Sequence, residues 1–165
     1  YRTNIGASTG RGSATGYNIT NIGYSAIESS SSANNEITLG DSSVATLRCA
    51  VTSITSLSDE RDKSEIEDLS YGLAFIDALQ PREFVWDNRP ETDVDGKEFY
   101  SENKGKKDFG FIAQEVKELD NDTLRLVYEE NSDKLELSYG KLVPILVKAI
   151  QELKEEVELL KSQNK

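Results

Sequence analysis

The sequence predicts an elongated α+β protein, and three observations lead to that prediction. In the N-terminal part, a glycine follows an aliphatic residue every 17 positions, which is typical of a β-roll or β-prism. Helix and strand patterns then alternate in a small α+β body. Apolar residues at heptad spacing end the chain and predict a coiled-coil helix. With 36% hydrophobic and 30% charged residues, the chain of 165 residues is too polar for one compact core.

The N-terminal repeat is marked by Gly6, Gly23 and Gly40, each of which follows Ile or Leu. Polar turn-forming residues lie between these marks, so we expect short strands joined by turns, in units that depend on their neighbours. The pattern over residues 16–26 is also similar to the head repeats of trimeric adhesins and phage fibres. Disorder is the alternative for such a serine-rich segment. The aliphatic residues in phase with the glycines favour an ordered fold.

Residues 44–57 are expected to link this repeat to the body. Residues 44–51 are predicted to form a strand, and residues 52–57, rich in β-branched and small side chains, an extended connector.

Ser58 and Lys63 form a candidate Ser/Lys dyad directly after the connector. A serine becomes a nucleophile when a neighbour takes its proton, and the chain has no histidine for that role. Lysine can act as the base when it is desolvated or beside another cation such as Arg61, although three neighbouring carboxylates favour the charged amine. Because five extended residues span ~17 Å, either residues 59–62 turn sharply or Lys63 reaches the serine of a neighbouring chain. A solvated helix start is the alternative interpretation.

The body is expected to begin with a helix. Ser64 and Glu67 form a capping box, and the spacing of apolar residues predicts a helix over 65–79 that ends before Pro81. Residues 84–86 are predicted to form a strand.

The rest of the body is predicted from shorter patterns. Residues 87–107 are polar, with a turn signal at Asp95-Gly96. A short helix over 113–119 should turn Ile112, Val116 and Leu119 inward. A hairpin should follow, with strands at 124–128 and 134–137 and a turn at 131–133. Core positions are expected for Trp86, Phe109 and Phe111, and we expect neither a metal nor an organic cofactor.

A C-terminal helix over 141–163 is predicted to assemble the protein, with Pro144 tolerated in its first turn. In isolated peptides, Ile or Val at heptad position a and Leu at position d favours a two-stranded coiled coil. We nevertheless expect a homotrimer, because the repeat is typical of threefold fibres and Val147 and Ala149 widen the apolar face. Glu156 and Lys161 fall at g and the following e, where they can pair between helices. The predicted seam consists of Val143, Leu146, Ile150, Leu153, Val157 and Leu160.

Four segments occur together and in this order: SDERDK at 58–63, LQP at 79–81 with FVW at 84–86, FGFIAQEV at 109–116, and YGKLVP at 139–144. With them the chain resembles, from residue 58 to about residue 160, the intramolecular chaperone domain. That domain stands at the C-terminus of phage tailspikes, tail fibres, neck appendages and endosialidases, and occurs in myelin regulatory factor.

The resemblance implies a function. In that family the domain trimerises, templates the fibre that precedes it, and cuts itself off at the serine of a Ser-Asp-x-Arg-x-Lys motif. Ser58 and Lys63 match its dyad, Asp59 and Arg61 match the residues between, and the implied cut is the Leu57-Ser58 bond.

The resemblance also implies how the chain is divided and where it acts. Residues 1–57 are then the end of a trimeric β fibre with its connector. Residues 58–165 are the chaperone domain, with a body over 58–140 before the helix. Assembly would take place in the host cytoplasm, after which the fibre stays on the virion and the chaperone domain does not. The alternative is a non-enzymatic trimerisation or adhesion module.

Charge and composition exclude several other classes. A net charge of −11 argues against a nucleic-acid or anionic-membrane partner, so the expected partners are further copies of the chain and its own upstream fibre. The single cysteine, Cys49, excludes an intrachain disulfide. No apolar run is long enough to span a membrane, no signal peptide is recognisable, and the chain begins in mid-pattern, as a fragment of a longer protein would.

Overall fold

A computed structural model of the chain describes residues 1–10, 14–51, 54–92, 97–120 and 123–164. Contacts divide the chain into two compact units. Unit 1 contains Tyr1–Arg48, Arg82–Gly110 and Glu129–Leu135, and unit 2 contains Cys49–Pro81, Phe111–Tyr128 and Glu136–Lys165. The predicted domain boundary between residues 57 and 58 is a division along the sequence, which this division by contacts does not test. It stays a prediction.

Strands and helices are mixed along the chain, as expected for an α+β protein. Short 3₁₀ turns occur at Glu60–Asp62 and Tyr139–Lys141. The other elements, in chain order, are β1 (Arg2–Ile5), β2 (Ile19–Ile22), β3 (Glu36–Leu39), α1 (Leu73–Ala78), β4 (Arg82–Val85), β5 (Glu91–Thr92), β6 (Glu98–Phe99), β7 (Lys107–Gly110), α2 (Ala113–Asp120), β8 (Val127–Tyr128), β9 (Glu136–Leu137) and α3 (Leu142–Gln163).

The repeat of unit 1 forms a parallel sheet in the order β1-β2-β3. Arg2 lies opposite Ile19, and Ile19 lies opposite Glu36, so each strand pairs with the strand one repeat away. Asparagine side chains stack at the same period, since Asn18 donates to Asn35 over 2.8 Å at a separation of 17 residues. The predicted 17-residue repeat is therefore confirmed within the chain.

The repeat glycines are required by the stacking of one unit on the next. Gly6, Gly23 and Gly40 have φ values of +137°, +122° and +75°, a region that side chains with a Cβ rarely adopt. A Cβ on Gly6 would lie 2.4 Å from the carbonyl oxygen of Gly23. Glycine is thus the residue that lets each strand end close against the next repeat.

The strand predicted over 44–51 is wrong, because these residues have no regular structure. A strand needs a hydrogen-bonded neighbour. Here Val44, Leu47 and Val51 stay 52%, 71% and 68% exposed. Residues 54–57 are also irregular and exposed, as expected for a connector, whereas residues 52 and 53 lie outside the described part.

A second sheet of unit 1 pairs β4 with β7 in antiparallel fashion, with Arg82 opposite Gly110. β4 confirms the strand predicted near 84–86, but β7 was not predicted. The short β5 and β6 pair within the polar stretch, and Asp95-Gly96 falls among the residues that are not described.

Two of the three predicted core aromatics are exposed. Phe109 is 81% exposed, because it projects from a two-stranded sheet into solvent. Trp86 is 37% exposed; its ring meets Phe84 edge-on, and its indole N–H donates to Asp108 Oδ2 over 3.1 Å. Only Phe111 packs against a hydrophobic core, that of unit 2.

The hydrophobic core of unit 2 is formed by the three helices and the residues next to β8 and β9. α2 confirms the predicted short helix, with Val116 buried and Ile112 and Leu119 partly buried. β8 and β9 pair as the predicted hairpin, but each has only two residues. The buried core residues are Phe75, Leu79, Val116, Leu126 and Ile145.

The helix predicted over 65–79 is wrong at its start, since α1 begins only at Leu73. Glu65 has a φ of +53°, which a helix does not accommodate. The first turn is capped from elsewhere, because the Leu73 N–H donates to Glu152 Oε2 of α3 over 2.7 Å. The predicted end is confirmed, with Leu79 as the C-cap before Pro81.

α3 confirms the predicted C-terminal helix over 22 residues, with Pro144 in its first turn. Ile145 and Ala149 are buried, 2% and 5% exposed, and α3 packs on α1. The prediction that Ala149 widens the seam is therefore wrong, because Ala149 is buried within its own chain. Val147 is 50% exposed. No helix in the described part of the chain has the length and apolar character to cross a membrane.

Candidate functional site

The chain turns sharply between the two residues of the candidate dyad. The 3₁₀ turn Glu60–Asp62 begins at Asp59, whose Oδ1 accepts the backbone N–H of Arg61 over 2.9 Å. It ends at Lys63, whose backbone N–H donates to the carbonyl of Glu60 over 3.0 Å. A capped turn of this size reverses the chain within five residues, which an extended segment could not do.

Asp59 and Arg61 lock this turn with a two-pronged ion pair. Arg61 Nε lies 3.0 Å from Asp59 Oδ1, and a terminal guanidinium nitrogen lies 2.7 Å from Oδ2. Hydrogen bonds from the Arg61 side chain, and then from its backbone N–H, hold the pKa of Asp59 below its usual value. The same pair raises the pKa of Arg61. Both residues thus shape the turn, and the charge of Arg61 is directed at Asp59 and not at Lys63.

The turn brings Lys63 back to Ser58 within one chain. Lys63 Nζ lies 2.6 Å from Ser58 Oγ and 3.1 Å from the Ser58 carbonyl oxygen. A contact of this length is a hydrogen bond between the two functional groups of the dyad. Of the two geometries that the sequence left open, the sharp turn is the one that this chain adopts.

The surroundings of the dyad are open to solvent. Ser58 and Lys63 are both exposed, and Leu57, on the other side of the predicted scissile bond, is 99% exposed. Residues 54–57 have no regular structure, so the bond is accessible to attack. A lysine that acts as a base needs drier surroundings than these, because water stabilises its charged form.

The predicted seam lies on the side of α3 that its own chain leaves uncovered. Its residues are between 40% and 66% exposed, whereas Ile145 and Ala149 on another face are buried. An apolar stripe of this length is typical of helices that pack against other helices. The exposed seam residues are Val143, Leu146, Ile150, Leu153, Val157 and Leu160.

Glu152 and Gly72 form a structural contact that the sequence did not predict. The carboxylate of Glu152 caps α1, and a Cβ on Gly72 would lie 2.3 Å from Glu152 Oε2. The two residues are 80 positions apart, and neither belongs to a local motif, so no sequence pattern indicates their contact. Within the described residues, no group of three or more His, Cys, Asp or Glu side chains could hold a metal ion.

Comparison with known proteins finds a family model that matches the segment containing this site. Residues 58–125 match a family model that is named for a peptidase family and described as chaperone of endosialidase. Neither the curated proteins nor the solved structures that were searched contain a significant match. The matched segment begins at Ser58 and includes the whole capped turn. Residues 58–125 are therefore similar to the chaperone of endosialidase family, and this match supports the resemblance to a C-terminal intramolecular chaperone domain.

Proposed function

We propose that this domain is a C-terminal intramolecular chaperone. It assembles three chains, templates the folding of a phage-type tail fibre or tailspike, and then releases itself by one serine autoproteolysis at the Leu57-Ser58 bond. The observation that carries the proposal is the 2.6 Å contact between Lys63 Nζ and Ser58 Oγ at the first residue of the family match.

The proposed chemistry is an acyl shift followed by hydrolysis. Lys63, as a neutral amine, takes the proton of Ser58 Oγ, which attacks the carbonyl carbon of Leu57. The peptide C–N bond breaks, the Ser58 nitrogen takes up a proton, and an ester joins Leu57 to Ser58 Oγ. Water then opens the ester, leaving a carboxylate on Leu57 and a free amine and hydroxyl on Ser58. Asp59 and Arg61 support the reaction by holding the turn.

The proposed chaperone activity rests on assembly through α3. The exposed seam supplies the contact between chains, and one chain alone leaves Leu146 and Leu153 43% and 49% exposed. Bringing three chains into register lowers the entropic barrier to winding a fibre of non-local contacts. Cleavage then separates the folded fibre from its template. A fibre that unfolds can no longer refold on that template, so the cleaved fibre is kinetically trapped.

A non-enzymatic trimerisation or adhesion module is the alternative, and one observation favours it. The turn is self-contained, because Asp59 caps it and Lys63 also donates to the Ser58 carbonyl over 3.1 Å. An exposed lysine can make that contact in an ordinary capped turn without any chemistry.

Denaturing electrophoresis of the expressed protein tests the two functions. We expect two fragments from the native chain and one full-length band from Ser58→Ala, whereas Ser64→Ala, an exposed serine six residues on, should cleave normally. Lys63→Arg should slow cleavage by about 10²–10⁴-fold, because arginine keeps its charge and does not accept the proton. A single full-length band from the native chain under every condition would favour the alternative.

N-terminal sequencing of the C-terminal fragment then identifies the bond. The proposed chemistry requires this fragment to begin Ser-Asp-Glu-Arg. A fragment beginning at Asp59 would mean that the bond on the other side of the serine is cut, and would contradict the acyl shift from Leu57.

A further inference from the structure

The sheet of β1, β2 and β3 has two faces of opposite character. Residues alternate between the faces along each strand. On one face, Asn21 is fully buried, and its side-chain amide donates to Glu28 Oε2 over 2.9 Å. Arg2, on the same face, is ion-paired with that carboxylate, which is itself 1% exposed. This face carries polar side chains together with the buried Ile19, and it is covered by the chain itself.

The covering layer is the segment that connects β2 to β3, residues 23–35, here called the return segment. It includes Glu28 and also Ser29, whose backbone N–H and hydroxyl donate to the Glu36 carboxylate of β3 over 2.8 and 2.6 Å. Ala26 and Ala33 of the return segment are fully buried. The return segment therefore covers this face of the sheet beside β2 and β3.

The other face carries an aliphatic stripe, defined here as Ile5, Ile22, Ile37 and Leu39. Ile5, Ile22 and Leu39 lie opposite one another in the sheet register, one from each repeat. They are 57%, 40% and 50% exposed, and Ile37 is 72% exposed. The remaining positions of these strands on this face are Thr3 and Thr20, so the face bears no charge.

We infer that the aliphatic stripe is the surface on which the N-terminal repeats of three copies of this chain pack together, in parallel and in register. The stripe gains one aliphatic side chain per repeat, at the strand spacing of ~4.8 Å. A partner that covers it along its whole length must present apolar side chains at the same spacing, and another copy of the same repeat does so. Because the chain has a net charge of −11, an uncharged face is also where copies approach with least repulsion.

The inference rests on the trimer of the proposed function, which would hold the copies parallel and raise their effective concentration at the repeat. It adds that the apolar face, and not the face covered by the return segment, is turned toward the other chains. The side chains of Ile22 from different chains should then lie near one another, whereas those of Tyr17, which precedes β2 outside the stripe, should not.

Cysteine cross-linking tests this arrangement in the full-length chain. The background is Ser58→Ala, which keeps the chain whole, with Cys49→Ser, which removes the single exposed thiol. Ile22→Cys and, as a second stripe position, Leu39→Cys are treated with a short bismaleimide and compared with Tyr17→Cys, a site of similar exposure at 58%. Circular dichroism and light scattering show that each variant is folded and give its mass.

On a denaturing gel, we expect the two stripe variants to move from the monomer band to the cross-linked dimer band. Tyr17→Cys should stay in the monomer band. A protein that is trimeric by light scattering but cross-links no better at Ile22 and Leu39 than at Tyr17 would overturn the stripe interface and leave the proposed function intact. A monomeric mass without cross-linking at either stripe position would overturn both.

Discussion

At the scale of residues, the Asp59–Arg61 ion pair explains why Ser58 meets Lys63. The pair closes a turn of three residues, and this turn returns the chain to the serine five positions upstream. From the sequence, Arg61 could supply a cation beside the lysine, and Asp59 and Arg61 were assigned to shaping the turn and tuning Lys63; in the structure, the guanidinium is bonded to Asp59. Arg61 therefore contributes to the site by holding the turn in place. Asp59 does the same through its negative charge, which binds the guanidinium of Arg61.

The pKa of Asp59 gives the first prediction. Its lowered pKa means that the ion pair stabilises the turn fully above the usual pKa of 3.8, and that this stabilisation is lost as the pH falls through the lowered value. In the Ser58→Ala chain, an NMR titration of the Asp59 carboxyl carbon should give a pKa below 3.8. Arg61→Gln should return it toward that value. An unchanged titration in Arg61→Gln would contradict the role of the pair.

At the scale of elements, α1 depends on α3 for its first turn. α1 has only six residues and no side-chain cap of its own, and Glu152 supplies the missing acceptor. Isolated helices of this length are unstable in water, so α1 forms because tertiary contacts hold it. Helices α1 and α3 are thereby linked by one carboxylate as well as by Phe75 and Ile145, which lie in the same hydrophobic core.

The second prediction concerns this cap. Gly72→Ala should destabilise unit 2 by about 1 kcal/mol, because its Cβ displaces the Glu152 carboxylate from the Leu73 N–H. Urea unfolding at fixed protein concentration measures the free energy of unfolding. Glu152→Ala should cost a similar amount, and the double variant should cost much less than the sum. Full additivity would mean that the two residues do not act on the same contact.

The third prediction tests the seam of α3. Leu153→Asp should dissociate the assembly, because each chain would place a charge in the buried seam. Leu159→Asp is a matched control, since Leu159 is equally a surface leucine of α3, 57% exposed, but lies outside the seam. Light scattering at micromolar concentration should give a monomer for the first and a trimer for the second and for the native chain. A native monomer or dimer, or equal behaviour of the two variants, would contradict the seam.

At the scale of the whole molecule, the proposed chemistry and the proposed assembly depend on each other. In one chain, Ser58 and Lys63 are in contact but exposed, and the lysine of a Ser/Lys dyad has to lose water before it can take a proton. Packing of further chains is the step that could remove that water. The domain would then cut itself only after the chains it templates have come together.

The fourth prediction follows, namely that cleavage depends on assembly. The Leu153→Asp chain should cleave at least about 10²-fold more slowly than the native chain, the lower end of the range that loss of a general base produces. Leu159→Asp should cleave at the native rate. The measurement is the fraction of cut chain against time on denaturing gels. Cleavage of the monomeric variant at the native rate would show that one chain completes the site by itself.

Local patterns in the sequence determined the 17-residue repeat, the C-terminal helix and the short helix α2. Each depends on residues near in sequence, such as glycines that follow strands or a heptad of apolar side chains. Ser58 and Lys63 were paired by their match to a family motif, and their role as a dyad stays a proposal. The capping box at Ser64 predicted a helix start that does not exist, since Glu65 lies in the left-handed region.

Only the tertiary structure decided where α1 begins, which aromatics are buried and how the dyad closes. The start of α1 depends on a carboxylate from α3, the exposure of Phe109 depends on what lies over its sheet, and Ala149 is buried within its own chain. The dyad had two geometries that the same spacing allowed, and the Asp59–Arg61 pair selects one of them. Contacts between residues that are distant in sequence leave no local pattern in it. They are determined by how the elements pack, and not by the spacing of residues along the chain.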